Sequence, residues 1–355
     1  MMERIHRIDE RTGIEVVQLT SYPVMHHHQY CYGQWIAPDE QTILFFRSRE
    51  LTRGSAVDLW RVCPDGSDLA MLVEGASWSA IGTDGRTLYT GVGNRVVSVP
   101  IDSGGDSADE LAVPETIHEL ATGSSVMVNA ASRDGRFIFC HTVQSGEHVA
   151  IRIDLASGEA AELFRTPSLM HMQLHDADGG RLLASVIPPG MEYGIYTFSF
   201  DGGDFQKLPF TNSTNHYASL GRTGKVITSV HSPAKAIEIA TSGDDTAEVL
   251  CGDLGYWHPT CDESGEWIAS DTNWPDTGLY LIHAPTGRYR VLCYPEASGG
   301  HPQWTHAHPR MSPDANYVVF DSDRTGGICH VYAAHIPQEF KEQLRRGVLR
   351  RHVAG

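Results

Sequence analysis

A turn of the Asp-Gly type, followed by an apolar run rich in β-branched and aromatic residues, recurs seven times along the chain. The glycine-equivalent positions of these turns, which are 41 to 50 residues apart, are Glu40, Gly85, Gly135, Gly180, Gly224, Gly265 and Ala315. Asp-Gly turns between β-rich runs are strong hairpin signals. A period of about 45 residues is typical of the four-stranded blade of a β-propeller. The repeat therefore predicts an all-β fold, a single seven-bladed β-propeller.

The two ends of the chain are expected to complete this ring. The seventh unit loses its strand pattern after the third strand, and residues 337–351 are predicted to form a short C-terminal helical tail. Residues 13–20 read as a strand and are expected to supply the missing outer strand of the last blade, which leaves no open sheet edge. We predict one domain over residues 1–355. The alternative, two domains divided near residues 103–110, is weaker because that stretch falls inside a repeat unit.

Charge and cysteine content narrow the class of function. The formal net charge of −17 argues against a nucleic-acid partner, because nucleic acids are bound by basic surfaces. It also disfavours an acidic substrate unless the site supplies positive charge, as a bound divalent cation does. The seven cysteines are scattered, and neither an apolar signal segment nor a membrane-length apolar run is visible. We expect a cytoplasmic protein without a membrane partner; the sequence leaves its oligomeric state open.

Five of the 19 histidines occupy nearly the same position within the repeat. Counted back from the reference position of their own unit, His258 and His308 lie seven residues before it, His216 lies eight before it, and His171 and His306 lie nine before it. These positions belong to the innermost strands of four consecutive units. The five side chains are therefore expected to converge at one end of the central channel, where a ligand site is most often found.

The run Gln303-x-x-His306-x-His308 adds an amide oxygen to two of these imidazoles. Units six and seven are neighbours in the ring, so His258 is expected to join them in binding one divalent cation. Three imidazoles and one amide leave coordination positions for substrate oxygens, and manganese, iron, nickel and zinc all suit such a set. His216, one blade away, is then free to act as a general base. Its alternative roles are support of the ligands or a hydrogen bond to the substrate.

Four further residues are predicted to contact the substrate: His171, Gln173, Tyr217 and, from the triplet at 26–28, His27. Three adjacent histidines cannot all point into the channel mouth, and His27 is the one we favour. Trp257, Trp304 and Tyr217 flank the predicted ligands and suit a sugar platform. Aromatic residues between blades are, however, more often part of the core.

With these residues in place, the chain resembles oligogalacturonate lyase, a family of seven-bladed propellers of pectin degradation. The likeness is carried by residues 303–309 (QWTHAHP), 257–258 (WH), 215–216 (NH), 171–173 (HMQ) and the N-terminal stretch 12–35. It spans nearly the full length of the chain. The Gln-x-x-His-x-His run is its most specific part, because propeller turns are shared by proteins of many functions.

The resemblance implies a carbon–oxygen lyase that cleaves short, digalacturonate-like oligouronides by β-elimination. It implies that a divalent cation, Mn²⁺ in the family, binds the C6 carboxylate of the substrate and is held by His258, Gln303, His306 and His308. It also implies that His216 is the base that abstracts the C5 proton. The leaving group is the glycosidic oxygen on C4, and the product is unsaturated.

One departure from the family keeps the substrate open. The resemblance implies an arginine near the base, in the later strands of the fourth unit, but between Arg181 and Arg222 the only cation is Lys207. A sibling lyase that acts on a different uronate is therefore one alternative. A non-catalytic propeller that binds protein is another, and a metal-dependent propeller hydrolase is a third, although such sites rely on carboxylate and amide oxygens more than on three imidazoles.

Overall fold

The structure is a computed structural model, and it describes residues 3–52, 54–105, 111–175, 180–273, 277–300 and 305–347. The chain begins with two strands that join the last sheet, β1 (Ile5–Ile8) and β2 (Glu15–Gln18). The first blade contains β3 (His26–His27), β4 (Ile43–Ser48), β5 (Val57–Val62) and β6 (Ala70–Val73). The second contains β7 (Ala76–Ile81), β8 (Thr87–Val92), β9 (Arg95–Pro100) and β10 (Glu115–Glu119). The third contains β11 (Val126–Ala131), β12 (Phe137–Gln144), β13 (Glu147–Asp154) and β14 (Ala160–Thr166).

The remaining blades follow the same plan. The fourth contains β15 (Leu169–His175), β16 (Arg181–Val186), β17 (Gly194–Ser199) and β18 (Gln206–Lys207). The fifth contains β19 (Ser213–Ser219), β20 (Lys225–Val230), β21 (Ala236–Thr241) and β22 (Glu248–Gly252). The sixth contains β23 (Tyr256–Cys261), β24 (Trp267–Thr272), β25 (Leu279–His283) and β26 (Arg288–Cys293). The seventh contains β27 (Arg310–Met311), β28 (Tyr317–Ser322) and β29 (His330–His335), and the helix α1 (Gln338–Arg346) comes after it.

These seven antiparallel sheets confirm the predicted seven-bladed β-propeller. Ring closure by the N-terminus is confirmed as well: β2 pairs with β29, with Val17 opposite Ala333. The sequence did not predict β1, which pairs with β2 and makes the last blade five-stranded. All four residues of β1 are exposed, so no apolar face marks it as a strand. Of the predicted helical tail, residues 348–351 lie outside the described residues.

The second strand of each blade shows why the repeat is so apolar. Neighbouring blades cover both of its faces, so a nearly continuous apolar run is favoured over simple alternation. All six residues of β24 and all six of β28 are buried. The outermost strands, such as β10, are mostly exposed. Within the described residues, no helix is long and apolar enough to span a membrane.

Candidate metal centre

Irregularities in three inner strands place the phased histidines. In β15 the register shifts between Met170 and Gln173, in β19 between Ser213 and Tyr217, and in β23 between Tyr256 and Pro259. Each shift inserts extra residues into the inner strand, and bulges of this kind re-aim a side chain. The inserted residues include His171, His216 and His258. The histidines that share a position in the sequence repeat therefore lie in equivalent bulges of their inner strands, at one level of the channel.

The seventh blade delivers its histidines differently. His306 and His308 precede the short strand β27, and His308 has a left-handed backbone with φ of 41°. A regular extended stretch, which would place both side chains on one face, is thus not what brings them together. Gln303, the fourth predicted ligand, and Trp304 lie outside the described residues, so their roles stay predictions.

His258, His306 and His308 form a group that can hold a metal ion. Their ligand atoms all lie within 4.8 Å of one another. In each of these three rings one buried nitrogen has no hydrogen-bond partner among the described residues: His258 Nε2, His306 Nδ1 and His308 Nε2. Buried polar atoms without partners are rare in proteins, and three of them at one point indicate a shared ligand. The all-imidazole set fits a divalent cation of the first transition row, such as zinc, iron or nickel.

Hydrogen bonds fix which nitrogen of two of these rings faces the shared point. His258 Nδ1 donates to the two carboxylate oxygens of Asp271, at 2.9 and 3.1 Å, so its Nε2 carries the lone pair. His306 Nε2 donates to the carbonyl oxygen of Gly300 at 3.1 Å, which leaves the lone pair on Nδ1. A carboxylate behind a histidine ligand orients the ring and raises its basicity. These two rings are therefore set to bind a cation.

Asp271 is a site residue that the sequence analysis missed. It lies in β24, accepts from the backbone N–H of His258 at 2.8 Å and is buried. The signal was present, because an acidic residue in a fully buried strand needs a partner. Asp271 was not predicted because it lies on the second strand of its blade, whereas the histidines of shared phase lie on the innermost strands.

A chain of hydroxyl groups assigns the proton of the predicted base. Ser229 Oγ donates to the carbonyl oxygen of Trp257 at 2.7 Å, so it must accept from Thr214 Oγ1, which lies 2.5 Å away. The single hydroxyl proton of Thr214 is then used. The ring nitrogen His216 Nδ1, 3.0 Å from Thr214 Oγ1, must in turn be the donor there. His216 therefore carries its proton on Nδ1, and its Nε2 is the proton acceptor.

The environment of His216 keeps the ring neutral. Its centroid lies 4.4 Å from that of His258, in an edge-on arrangement, and 5.9 Å from that of Trp257. Burial, with a smaller contribution from His258, lowers the pKa of His216 to about 2. The ring is consequently a neutral hydrogen-bond or proton acceptor beside the three-histidine group. Its partners in the described part of the chain include no lysine or arginine.

The four predicted substrate contacts lie in different surroundings. His171 is near the group, and its Nδ1 donates to the carbonyl oxygen of Asn215 at 3.0 Å. Tyr217 is buried and donates its hydroxyl to Met170 O at 3.2 Å, between blades four and five. Gln173 is buried between the same blades. The ring of His27 packs on Phe46, with centroids 5.5 Å apart. No observation tests a role of these four in binding a substrate.

Tyr30 is the second residue that the sequence analysis missed. Its ring lies in the middle of the histidines, with centroids 4.8 Å from His308, 5.2 Å from His171 and 5.8 Å from His258. Trp35 Nε1 donates to Tyr30 O at 2.8 Å and so holds the segment in place. The triplet member that approaches the group is His28, whose ring is 6.4 Å from that of His308.

Two glutamines anchor the segment that carries Tyr30, residues 28–35, to the second and third blades. Gln29 accepts from Ser79 N at 2.6 Å and donates to Ser79 Oγ at 2.5 Å. Gln34 accepts from Ala131 N at 2.7 Å and donates to Ala131 O at 3.0 Å. The Gln34 amide thus bonds both backbone groups of Ala131, as a neighbouring strand would, whereas Gln29 bonds one backbone group and the hydroxyl of Ser79. The segment from the first blade consequently crosses the channel beneath the histidines.

No protein-family profile and no curated protein sequence matches the chain. Among solved structures it is similar to an oligogalacturonate lyase in complex with manganese, with a TM-score of 0.77, 16% identity and coverage of 96% of this chain and 99% of the other. An oligogalacturonate lyase from Vibrio parahaemolyticus gives the same TM-score and identity over 96% of this chain and 98% of the other. A chain of a mitotic checkpoint complex is more distant, with a TM-score of 0.58, 12% identity and coverage of 94% and 97%. The resemblance read from the sequence is confirmed at the level of the fold.

Proposed function

We propose that this protein is a metal-dependent lyase that cleaves short oligouronides by β-elimination. The observation that carries the proposal is the convergence of three unpartnered ring nitrogens, from His258, His306 and His308, beside a neutral His216. A non-catalytic propeller has no need of such a group. The similarity in fold to two oligogalacturonate lyases supports the proposal, because the same fold in that family carries this chemistry.

The three histidines would hold the cation, with Gln303 as the predicted fourth ligand. Mn²⁺ is the proposed ion, since the similar lyase structure is a manganese complex. Three imidazoles by themselves also suit zinc, iron or nickel. When bound, the cation supplies Lewis acidity that neutralises the C6 carboxylate of the substrate and makes the C5 proton more acidic. Asp271 keeps His258 in the tautomer that this ligation requires.

His216 would remove the C5 proton through Nε2, the nitrogen that carries its lone pair. The C5–H electron pair forms the C4=C5 double bond, the bond from C4 to the glycosidic oxygen breaks, and that oxygen takes a proton from solvent. No water is added across the bond. Thr214 holds the ring orientation by accepting from Nδ1, so the same side of His216 always faces the reaction centre.

The uronate itself is a separate question, and one observation favours a second candidate. Lys207, the only cation between Arg181 and Arg222, lies on the outer strand β18 and pairs with Glu192. This pair is at the rim of the blade, away from the channel. The family arginine therefore has no counterpart there, and a lyase specific for a uronate other than galacturonate is the second candidate.

The test follows the ultraviolet absorbance of the conjugated C4=C5 bond as Mn²⁺-loaded protein meets saturated oligogalacturonates and a panel of other oligouronides. We expect a rise with one of them that is abolished by chelation and by His216→Ala. His283→Gln is the matched control, because His283 is a buried histidine of β25 that pairs with Glu266. Absence of any new double bond across the panel, with the cation bound, would refute the lyase.

A further inference from the structure

The channel continues below the segment 28–35 into a second chamber. Tyr32 and Gln34 line it from above, and the turn residues Gly82, Gly221 and Pro313 line it at the opposite end. Its volume is about 120 Å³. Tyr30 faces the histidines on the other side of the same segment. The chamber is therefore separate from the candidate metal centre.

A guanidinium with few partners faces this lower chamber. Arg310, the first residue of β27, lines the chamber, and within the described part of the chain its guanidinium makes one hydrogen bond, from Nη1 to Thr260 Oγ1 at 3.3 Å. Its Nε is buried without an acceptor. Among the described residues, no carboxylate oxygen lies within 4.0 Å of a guanidinium nitrogen of Arg310, the limit for an ion pair. A guanidinium offers five N–H donors in a planar fork, so most of them are available to a ligand.

Two acidic residues, Asp262 and Glu263, line the chamber together with Arg133, and both have other partners. Glu263 accepts from Arg133 Nη1 at 3.2 Å and from Arg222 Nη2 at 2.5 Å. Asp262 accepts from the backbone N–H of Trp267 at 2.9 Å and from a serine hydroxyl. Neither carboxylate is an ion-pair partner of Arg310.

Two cysteines complete the surroundings of the guanidinium. Burial raises the pKa of Cys261 to about 12, and it raises the pKa of Cys31 as well. Both thiols are neutral near pH 7, so they do not balance the positive charge. Glu263 attracts the guanidinium only from beyond ion-pair distance, so the charge is incompletely compensated. Such a charge inside a protein is costly, and an anion that binds it relieves the cost.

We propose that the lower chamber is a binding site for a small carboxylate, held by the guanidinium of Arg310. The planar fork matches the two oxygens of a carboxylate, and the volume of the chamber suits a small organic acid. This site does not depend on the proposed lyase reaction.

The test compares thermal unfolding in sodium acetate and in sodium chloride at equal ionic strength, with protein that has been treated with a chelator and with Mn²⁺-loaded protein. For the wild type we expect acetate at ten times its dissociation constant to raise the unfolding midpoint by about 2 °C, with or without Mn²⁺. Arg310→Met keeps the aliphatic stem and removes the charge. It should lose the response to acetate, while its midpoint in chloride is no lower than that of the wild type.

Two further variants separate charge from geometry. Arg310→Lys keeps the positive charge and loses the planar guanidinium, so the shift of the unfolding midpoint in acetate should be reduced. This variant tests the site if Arg310→Met does not fold. Arg222→Met is the matched control, because its side chain is 59% exposed, pairs with the same Glu263 and does not line the chamber; it should respond like the wild type. A wild type that is indifferent to acetate, or an Arg310 variant with the full response, overturns the site.

Discussion

Two aspartates occupy the same place in neighbouring blades and meet different histidines. Asp271 is the fifth residue of β24 and Asp321 the fifth of β28, and each accepts a hydrogen bond from a histidine backbone N–H, at 2.8 Å for Asp271 and 3.2 Å for Asp321. Asp271 also accepts from the ring of His258 at 2.9 Å. The nearest carboxylate oxygen of Asp321 is 3.7 Å from His28 Nε2, too far for a hydrogen bond.

The difference between these two aspartates decides what each histidine can do. The ring of His258 has its Nδ1 proton fixed and its Nε2 aimed at His306 and His308. At Asp321, burial raises the pKa of the carboxyl well above its usual range, because no ring proton compensates its charge. The same strand position thus gives a carboxylate that orients a histidine ring in blade six and a carboxyl group without a ring hydrogen bond in blade seven. The distance from carboxylate oxygen to ring nitrogen, 2.9 Å at Asp271 and 3.7 Å at Asp321, is what distinguishes the two aspartates.

The largest effect is expected from removing the ring that Asp271 orients. His258→Ala deletes one of three imidazole ligands, so affinity for Mn²⁺ should fall by more than about 100-fold, beyond the range typical of residues behind the ligands. Titration followed by the electron paramagnetic resonance of free Mn²⁺ measures it. His283→Ala, in the same blade, is the control and should bind normally. Affinity within threefold of the wild type in His258→Ala would remove this histidine from the ligand set.

Asp271→Asn leaves the ligands in place and weakens their orientation. The amide accepts from His258 Nδ1 less strongly than the carboxylate does, so Mn²⁺ affinity should fall by about 10- to 100-fold. The same titration applies, with circular dichroism to show that the variant is folded. Unchanged affinity would mean that the carboxylate does not set the tautomer.

His141 is a buried histidine whose partner is a neutral amide instead of a carboxylate, and it makes the stability of the protein depend on pH. His141 Nδ1 bonds Asn129 Oδ1 at 2.7 Å, and burial lowers the pKa of His141 to about 4. The unfolded chain takes up a proton near pH 6.5 and the folded chain does not. Stability is therefore complete above about pH 6.5 and is lost as the pH falls toward 4.

At pH 5.5 the cost of keeping His141 neutral is about 1.4 kcal/mol of unfolding free energy. Urea unfolding of the wild type and of His141→Gln at pH 7.5 and 5.5 measures it. The variant should lose about that much less than the wild type on acidification. Equal losses would show that His141 titrates alike in the folded and unfolded chains.

The smallest effect is expected at Asp321. Asp321 makes no hydrogen bond to a histidine ring, and Asp321→Asn keeps an oxygen to accept from His28 N, so no contact that orients a predicted ligand is lost. Mn²⁺ affinity should change by less than about threefold, and the unfolding midpoint by less than about 2 °C. A loss as large as that of Asp271→Asn would make the two aspartates equivalent.

The sequence contained much of the fold and part of the site. The spacing of the turns predicted seven blades, and the shared phase of His258, His306 and His308 predicted their convergence, because a repeat places equivalent positions at equivalent heights. The strand at residues 13–20 was recognised because one blade lacked a partner. These inferences depend on periodicity, which a single sequence displays.

What escaped prediction depends on contacts between units. Asp271 belongs to the metal centre through a hydrogen bond to the adjacent strand, and Tyr30 reaches it on a segment from the first blade. Neither follows the repeat phase. The strand β1 was missed because its four exposed residues bury no apolar face. The bulges were not predicted because an inserted residue changes the distance to the next turn by only one or two positions and has no other signature in the sequence.

The most direct measurement is an anomalous-scattering map from crystals of the wild-type protein soaked in Mn²⁺. The three-histidine site predicts one strong peak in the channel, bonded to His258 Nε2, His306 Nδ1 and His308 Nε2, with Asp271 behind the first of these rings. The same map shows whether Gln303 is the fourth ligand. A map without a peak at these three nitrogens, from protein soaked at a saturating Mn²⁺ concentration, would contradict the metal centre and the lyase reaction proposed for it.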